Sequence, residues 1–280
     1  MKSVTKAWFF LIAISLTLIV LGHVLGGREG LLYFLILALG INSFVYFYED
    51  RRVLSTFNGK TLDGQDSYGL HDMARRLSIK SRIKTPQILL LPSHAPQAGI
   101  IGNGLSRSSL LLTQGLLDKL SMREIEAVIA YQIASISNLN TLSFAVGSFL
   151  TSISLLITST LDTFIRLLIV EKKNPKNMVS QFFTRLTAPI FGSILKLSIR
   201  KSFYKEADAL AADLLDDSKI LAKVLWKLES FSETLPLPAS VATAHIFIVS
   251  PLTQYRWERF FVTQPQTKDR IRQLVGYYPL

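Results

Sequence analysis

The chain has 280 residues, of which 49% are hydrophobic and only 18% charged, and its net charge is +11. A soluble domain usually carries about 25% charged residues, so this composition is typical of a membrane protein. The chain contains no cysteine, which excludes disulfides, thiolate nucleophiles and cysteine-ligated zinc. Its lysines and arginines flank apolar segments, and no aromatic and basic platform accompanies them. We therefore expect the lipid bilayer as a partner, and no nucleic acid.

Two apolar segments near the start of the chain predict a transmembrane helical hairpin. The first, 7–25, lacks Asp, Glu, Lys and Arg and would extend about 28 Å as a helix, close to the thickness of the hydrocarbon core. The second, 31–48, follows a short turn and ends in aromatic residues typical of a membrane interface. Basic residues precede and follow the pair, so the positive-inside rule places both ends in the cytoplasm. The alternative for 7–25 is a cleaved signal peptide, for which its apolar core is long.

A soluble region follows the hairpin, and its apolar runs predict two strands. Residues 86–92 form an apolar run bounded by prolines, and 109–113 form a second run of strand character. Between them, 98–105 contains three glycines, which indicates a turn or an irregular edge.

The same region continues into a helix. Ser121 and Glu124 have the spacing of a capping box, and the isoleucines and valine that follow, up to Ile136, lie on one helical face. Apolar spacing predicts further helices over 70–77, 114–120, 204–215, 219–231 and 267–274.

A second hydrophobic pair, 142–161 and 182–199, interrupts the soluble region. The first member is long enough to span a bilayer, whereas Pro189 and flanking charges shorten the second. The loop between them is basic, which disfavours a position outside the cell. We therefore expect a hairpin that enters the membrane in part or lies against the soluble domain. Asp162 and Arg166, four residues apart, are expected to pair with each other or lie at the interface.

Motif-like segments appear in a fixed order along the second half of the chain. Residues 121–130 are Ser-Met-Arg-Glu-Ile-Glu-Ala-Val-Ile-Ala, and 131–138 are Tyr-Gln-Ile-Ala-Ser-Ile-Ser-Asn. Residues 200–208 are Arg-Lys-Ser-Phe-Tyr-Lys-Glu-Ala-Asp, 245–251 begin His-Ile-Phe-Ile, and 261–271 include Thr-Gln-Pro-Gln-Thr-Lys-Asp-Arg-Ile. Each fragment is weak alone, but in order and spacing they resemble the HtpX family of membrane zinc metallopeptidases over nearly the whole chain.

The resemblance implies a fold class and a domain layout. The expected fold is mainly α with a small β-sheet (α+β), a zincin-like metallopeptidase domain tethered by transmembrane helices. The N-terminal transmembrane hairpin would occupy 1–50, and the first part of the zincin-like domain 51–141. A hydrophobic or transmembrane hairpin insertion would occupy 142–200, and the C-terminal part of the domain 201–280.

The resemblance also locates the family's zinc site, and the residues there differ. In the intact motif His-Glu-x-x-His, the two histidines and a later glutamate bind zinc, and the glutamate between the histidines activates water. Here Tyr131 and Ser135 occupy the histidine positions, Gln132 the base position and Tyr204 the third-ligand position. Hydroxyls and neutral phenols are poor zinc ligands, and an amide cannot take a proton. No cofactor is therefore expected, although the family uses zinc.

Four other positions of the family pattern are retained and one is replaced. The resemblance identifies them as Asn138, Asp208, His245 and Arg270, whereas Gln264 replaces a histidine.

The glycine-rich stretch matches the region where such peptidases add a peptide as a strand. Gly99, Gly102 and Gly104 would keep the backbone accessible there. An ordinary hairpin without a binding role is the alternative. A substitute metal site from His71, His94 and Glu206 is a further alternative to the loss of the metal.

These observations predict a membrane-anchored, HtpX-like pseudoprotease with a binding or regulatory role in membrane-protein quality control. Its partners would be membrane-protein segments or an active peptidase homologue. We expect it in the bacterial inner membrane with the soluble domain facing the cytoplasm. An active zinc endopeptidase with non-standard ligands and a structural membrane subunit are the alternatives.

Overall fold

The computed structural model describes residues 3–62, 66–102, 104–105, 108–138, 140–169, 182–252 and 257–277. The strands are β1 (Lys60–Thr61), β2 (Gln87–Leu91), β3 (Ala98–Gly102) and β4 (Ser108–Thr113). The helices are α1 (Ser3–Phe57), α2 (Leu70–Lys80), α3 (Gln114–Lys119), α4 (Met122–Ser137), α5 (Asn140–Ile169), α6 (Phe182–Ser198), α7 (Lys201–Leu215), α8 (Ser218–Thr234) and α9 (Thr267–Val275). The predicted fold class, mainly α with a small sheet, is confirmed.

The long N-terminal helix α1 reverses direction at Gly26–Gly27, where both residues leave the helical conformation. The second of them has φ 55°, a value that glycine adopts without steric cost. Beyond the turn the two limbs touch: the Asn42 amide donates to Ser15 Oγ at 2.9 Å. A Cβ on Gly30 would lie 2.1 Å from the Gly22 carbonyl oxygen, so only glycine permits this approach. The two limbs form a helical hairpin.

Two stretches among the described residues are long and apolar enough to cross a bilayer. They are Leu11–Ser43, which contains the turn at Gly26–Gly27, and Asn140–Thr163. Phe182–Ser198 and Lys201–Leu215 meet the same test only as a pair, and they are bent by 40° at the break between them.

Asp162 connects the two helices of the second hydrophobic pair. Its carboxylate accepts hydrogen bonds from the backbone N–H groups of Phe183 and Thr184, at 2.7 and 3.2 Å, and from the Thr184 hydroxyl at 2.7 Å. It is buried and caps the first turn of α6 from within the helix pair. The side chain of Arg166 is not among those that the structure describes, so its predicted pairing with Asp162 stays a prediction. The basic loop also lies outside the described residues.

The small sheet has the order β1-β2-β4-β3, in which β2 and β4 are parallel and the other pairs antiparallel. The prediction of a turn or irregular edge over 98–105 was wrong for its first part. Residues Ala98–Gly102 pair with β4, and both isoleucines of the strand are buried. The strand was missed because its glycines weaken the local signal, whereas its pairing depends on distant residues.

Helix α4 packs against three other helices, α2, α7 and α8. The Glu124 carboxylate accepts the Ser121 backbone N–H at 2.9 Å, as the predicted capping box requires. The same carboxylate is 2.7 Å from Lys227 Nζ and 3.2 Å from Lys223 Nζ, both on α8. The start of α4 is thus fixed by its own cap and by a neighbouring helix.

Candidate functional site

Two facing helices bring the predicted site residues together in the core. Tyr131 and Ser135 lie one turn apart on α4, and Tyr204 and Asp208 lie one turn apart on α7, so each pair occupies one helical face. All four side chains are buried. The positions expected from the family motif therefore converge, although the side chains differ from those of a zinc site.

Arg270, from α9, is the cation of this cluster. Its Nε and Nη2 donate to the two carboxylate oxygens of Asp208 at 2.8 and 2.7 Å, and its Nη1 donates to the Ile248 carbonyl at 2.6 Å. Its guanidinium carbon lies 4.9 Å from the centre of the Tyr131 ring, which is cation–π geometry. Burial would lower the pKa of Arg270, but the Asp208 carboxylate outweighs this effect and raises it. Arg270 is therefore permanently charged and paired.

Tyr131, at the first histidine position, is held as a neutral phenol. Burial raises its pKa to about 12, although the Arg270 guanidinium opposes the rise. Its hydroxyl is also hydrogen-bonded to the side chain of Ser135, which stands at the second histidine position. The two expected ligand positions on α4 thus bond to each other.

Tyr204, at the third-ligand position, is bonded within the protein. Its hydroxyl donates to the His245 carbonyl at 3.0 Å and lies 2.8 Å from Thr263 Oγ1. Burial raises its pKa, and the hydrogen bond to Thr263 opposes the rise. The ring stacks on Phe144, with 5.7 Å between ring centres. The phenol therefore stays neutral and its oxygen already has partners.

Gln132 and His245 complete the buried polar set. Gln132 stands at the base position, and its Nε2 has no hydrogen-bond partner among the described residues. His245 Nε2 lies 2.9 Å from the Phe144 carbonyl oxygen and 3.0 Å from Ser148 Oγ. Burial lowers the pKa of His245 to about 4, and the bond to Phe144 opposes the fall. The imidazole is therefore neutral, and its Nε2–H donates to the carbonyl.

The donor set does not fit zinc, which prefers imidazole, thiolate or carboxylate ligands. The two tyrosines keep their protons and Ser135 offers only a hydroxyl. Within the described ranges, no three His, Asp or Glu side chains lie close enough to share a metal ion, so His71, His94 and Glu206 are not brought together.

The expected peptide-binding edge, β3, is partly occupied by the chain itself. The Ile248 N–H donates to the Ala98 carbonyl at 2.9 Å, and Phe247 forms a single antiparallel bridge with Gly99. A Cβ on Gly99 would lie 3.1 Å from the Ile246 carbonyl oxygen, so glycine allows this close approach.

The rest of β3, Ile100–Gly102, pairs with β4 and is buried. Gly102 and Gly104 both have positive φ. Asn138, a retained family-like position, ends α4 and is half-buried.

Three contacts of the site were not predicted from the sequence. They are the ion pair of Arg270 with Asp208, the stacking of Phe144 on Tyr204 and the hydrogen bond of Thr263. The ion pair had a signal, because both residues lie in segments that resemble the family. Nothing in the local sequence distinguishes the other two.

The sequence profile of Peptidase family M48 matches residues 65–277. The chain belongs to this family. Among its relatives, the Protease HtpX homolog of Pelotomaculum thermopropionicum is 30% identical over 274 residues, covering 96% of this chain and 97% of the relative. The Protease HtpX homolog of Polynucleobacter necessarius is 30% identical over 288 residues, covering 100% of this chain and 99% of the relative. The crystal structure of S. mikatae Ste24p is 16% identical with a TM-score of 0.49, over 96% of this chain and 65% of that one.

The resemblance predicted from the motif segments is thereby confirmed. This M48 protein is an integral membrane protein with apolar helices of spanning length and a mainly helical domain with a small mixed sheet. The family generally uses zinc, and the assignment of its ligand positions to Tyr131, Ser135 and Tyr204 in this member stays a prediction.

Proposed function

We propose that this M48 family member is a pseudoprotease, a membrane-anchored protein that binds polypeptide without cleaving it. The observation that carries the proposal is the state of Tyr131 and Tyr204, at two of the expected zinc-ligand positions. Both are buried phenols with a raised pKa, and their hydroxyls are already hydrogen-bonded within the protein.

Amide hydrolysis needs an activated water and a group that accepts its proton. Gln132 has no titratable group, and Tyr131 and Tyr204 keep their protons because burial raises the pKa of both phenols. Asp208 could serve as a base only by giving up Arg270, which would leave a charge unpaired in the core. Each group that could activate water is therefore absent or already engaged.

The retained scaffold favours a binding role. Strand β3 is the last strand in the sheet order, and an extended peptide would add to its outer side as a further strand. Membrane-protein segments or an active peptidase homologue are the partners that this arrangement would serve, in membrane-protein quality control. Basic residues flanking α1 favour an inner-membrane location with the domain facing the cytoplasm.

The catalytic half of the proposal is tested by metal analysis and proteolysis. The full chain would be purified in detergent after expression with added zinc, then assayed for zinc per chain and for casein cleavage with and without a chelator. An active zinc peptidase in the same detergent serves as the positive control. We expect zinc far below one equivalent and no chelator-sensitive cleavage. One zinc per chain together with chelator-sensitive cleavage would refute the proposal.

The binding half is tested by photo-crosslinking. A crosslinking amino acid at Leu105, an exposed residue close to the β3 edge, should capture co-expressed membrane polypeptides. The same probe at Tyr277, an exposed residue near the end of α9, is the control. Equal yields from the two positions would favour a structural subunit without a peptide groove.

A further inference from the structure

A cavity of about 200 Å³ lies between α8, α9 and the segments that precede α9. Its lining includes Glu229 and Glu233 of α8, together with Gln264 and Arg270. Pockets for drug-sized ligands are usually about 300–1,000 Å³. This cavity is therefore of a size to hold one side chain rather than a whole small molecule.

The α8 wall of the cavity is acidic. Glu229 and Glu233 lie one turn apart on the same helical face, the first half-buried and the second exposed. Across the described ranges, neither carboxylate takes part in an ion pair. Two like charges held near each other without a counter-ion favour a bound cation.

A buried acceptor on the opposite wall points to the same kind of ligand. Gln264 is 7% exposed, and its Nε2 donates to the carbonyls of Ala244 and Phe247 at 2.9 and 3.3 Å. These two carbonyls fix the orientation of the amide, because reversing it would place oxygen against oxygen. Its Oε1, an acceptor, is left without a partner. Such a buried acceptor is costly unless a donor reaches it.

A second unpartnered amide oxygen lies behind the cavity wall. The Nε2 of Gln97 donates to Ser232 Oγ at 2.8 Å and to the Val249 carbonyl at 3.3 Å, and both partners line the cavity. Gln97 Oε1 has no partner within the part of the chain that the structure describes. Two amide oxygens near this space are thus without donors.

The one cation among the described lining residues does not supply the missing donors. All three nitrogens of Arg270 donate within the protein, two of them to Asp208, whose carboxylate balances the charge. The Gln264 oxygen therefore stays without a donor from Arg270, and the Glu229 and Glu233 carboxylates stay without an ion-pair partner among the described residues.

We infer that this cavity binds the guanidinium or ammonium group of an arginine or lysine side chain of a bound polypeptide. The inference rests on the proposed polypeptide-binding function and names the class of segment bound. Val249 lines the cavity and follows Ile248, which pairs with β3, so the cavity adjoins the proposed peptide edge. Lysine and arginine are concentrated in the cytoplasmic loops of membrane proteins, the segments that a membrane-tethered domain meets.

The test is a binding measurement on the full chain in detergent. The probe is a short fluorescein-labelled peptide with two adjacent arginines, and the matched peptide carries citrulline, which keeps the shape but loses the charge. The wild-type chain should bind the arginine peptide about tenfold more tightly, because a charge-assisted hydrogen bond is lost with citrulline. Agmatine carries a guanidinium group without a peptide backbone. It should displace the arginine peptide only at a concentration far above that of the peptide itself.

The decisive variant is Glu229→Gln with Glu233→Gln, which removes the carboxylates and keeps their size. It should bind both peptides equally. The matched control, Glu206→Gln with Asp213→Asn, removes two exposed charges from α7 and should keep the tenfold preference. Melting temperatures confirm that both variants are folded.

Three outcomes would overturn the inference: equal binding of the two peptides by the wild type, a preserved preference in the Glu229/Glu233 variant, or agmatine binding as tightly as the peptide. None of them depends on zinc content or cleavage. If the crosslinking at Leu105 succeeds while the arginine preference is absent, polypeptide binding stands and only the cation site fails.

Discussion

Arg270 and Asp208 form a two-pronged ion pair in the core, with nitrogen–oxygen distances of 2.8 and 2.7 Å, between residues 62 positions apart in the chain. The pair joins α9 to α7, and the guanidinium also covers Tyr131 on α4. The two helices that carry the expected zinc-ligand positions, α4 and α7, are thus joined to α9 through one buried guanidinium. The stability of the domain should therefore depend on this pair.

Removing one partner of the pair should be strongly destabilising, because it leaves an unpaired charge in the core. We expect Arg270→Met or Asp208→Leu to lower the free energy of unfolding by about 3–5 kcal/mol each. The double variant should recover much of the loss, since no charge remains unpaired. Denaturant unfolding of the detergent-solubilised protein measures this. Simple addition of the two losses would contradict the coupling.

His245 should make stability depend on pH in a defined window. Its folded pKa is about 4 against 6.5 for a free imidazole, because burial disfavours the charged form. Between these two pH values, His245 therefore binds a proton in the unfolded chain but not in the folded chain. The stabilisation of the folded state by neutral His245 is complete above pH 6.5 and is lost as the pH falls from 6.5 to 4.

His245→Gln removes the titrating group and keeps a donor for the Phe144 carbonyl. Melting temperatures of wild type and variant, measured from pH 4 to 7.5, should converge as the pH falls. If the melting temperatures of wild type and variant instead change in parallel between pH 6.5 and 4, His245 is not the cause of the pH dependence.

Much of the fold could be predicted from local patterns in the sequence. The capping residues Ser121 and Glu124 and the apolar spacing after them predicted α4 with its start and end within a residue of those observed. Such signals are local, because helix caps and helical periodicity involve residues a few positions apart. Strand β3 was missed for the opposite reason: Gly99 has a role only when Phe247, far along the chain, lies against it.

The sequence predicted where the site lies in the chain, but not the contacts that its side chains make. Family motifs located Tyr131 and Tyr204, and the structure brings them together on facing helices. No spacing rule indicates that Arg270 reaches over the ring of Tyr131, or that the Tyr204 hydroxyl bonds to Thr263. These contacts depend on how α9 and the segment before it dock, and docking is set by packing over the whole domain.

The packing of the α1 hairpin gives a matched pair of glycine substitutions. A Cβ at Gly30 would lie 2.1 Å from the Gly22 carbonyl oxygen, whereas a Cβ at Gly40 meets nothing within 4 Å. Gly30→Ala should therefore separate the limbs, and Gly40→Ala should not.

The readout is a disulfide between Ser15→Cys and Asn42→Cys, whose native side chains touch. The chain has no cysteine of its own, so the crosslink is unambiguous. We expect its yield to fall several-fold with Gly30→Ala and to stay unchanged with Gly40→Ala. Equal yields in the two backgrounds would contradict the hairpin contact.

Restoring the family residues should create a metal site on the existing scaffold. The combined changes Tyr131→His, Gln132→Glu, Ser135→His and Tyr204→Glu place imidazoles one turn apart on α4 and a carboxylate opposite on α7. We expect this variant to take up about one zinc per chain, measured by elemental analysis. A variant that folds and stays metal-free would show that the helices no longer hold the required geometry.

The most direct test of the lost zinc site is a crystal of the wild-type protein soaked in zinc and measured at the zinc absorption edge. We predict no anomalous peak within bonding distance of Tyr131, Ser135 or Tyr204. A peak there with tetrahedral ligation at about 2.0–2.3 Å would contradict the account.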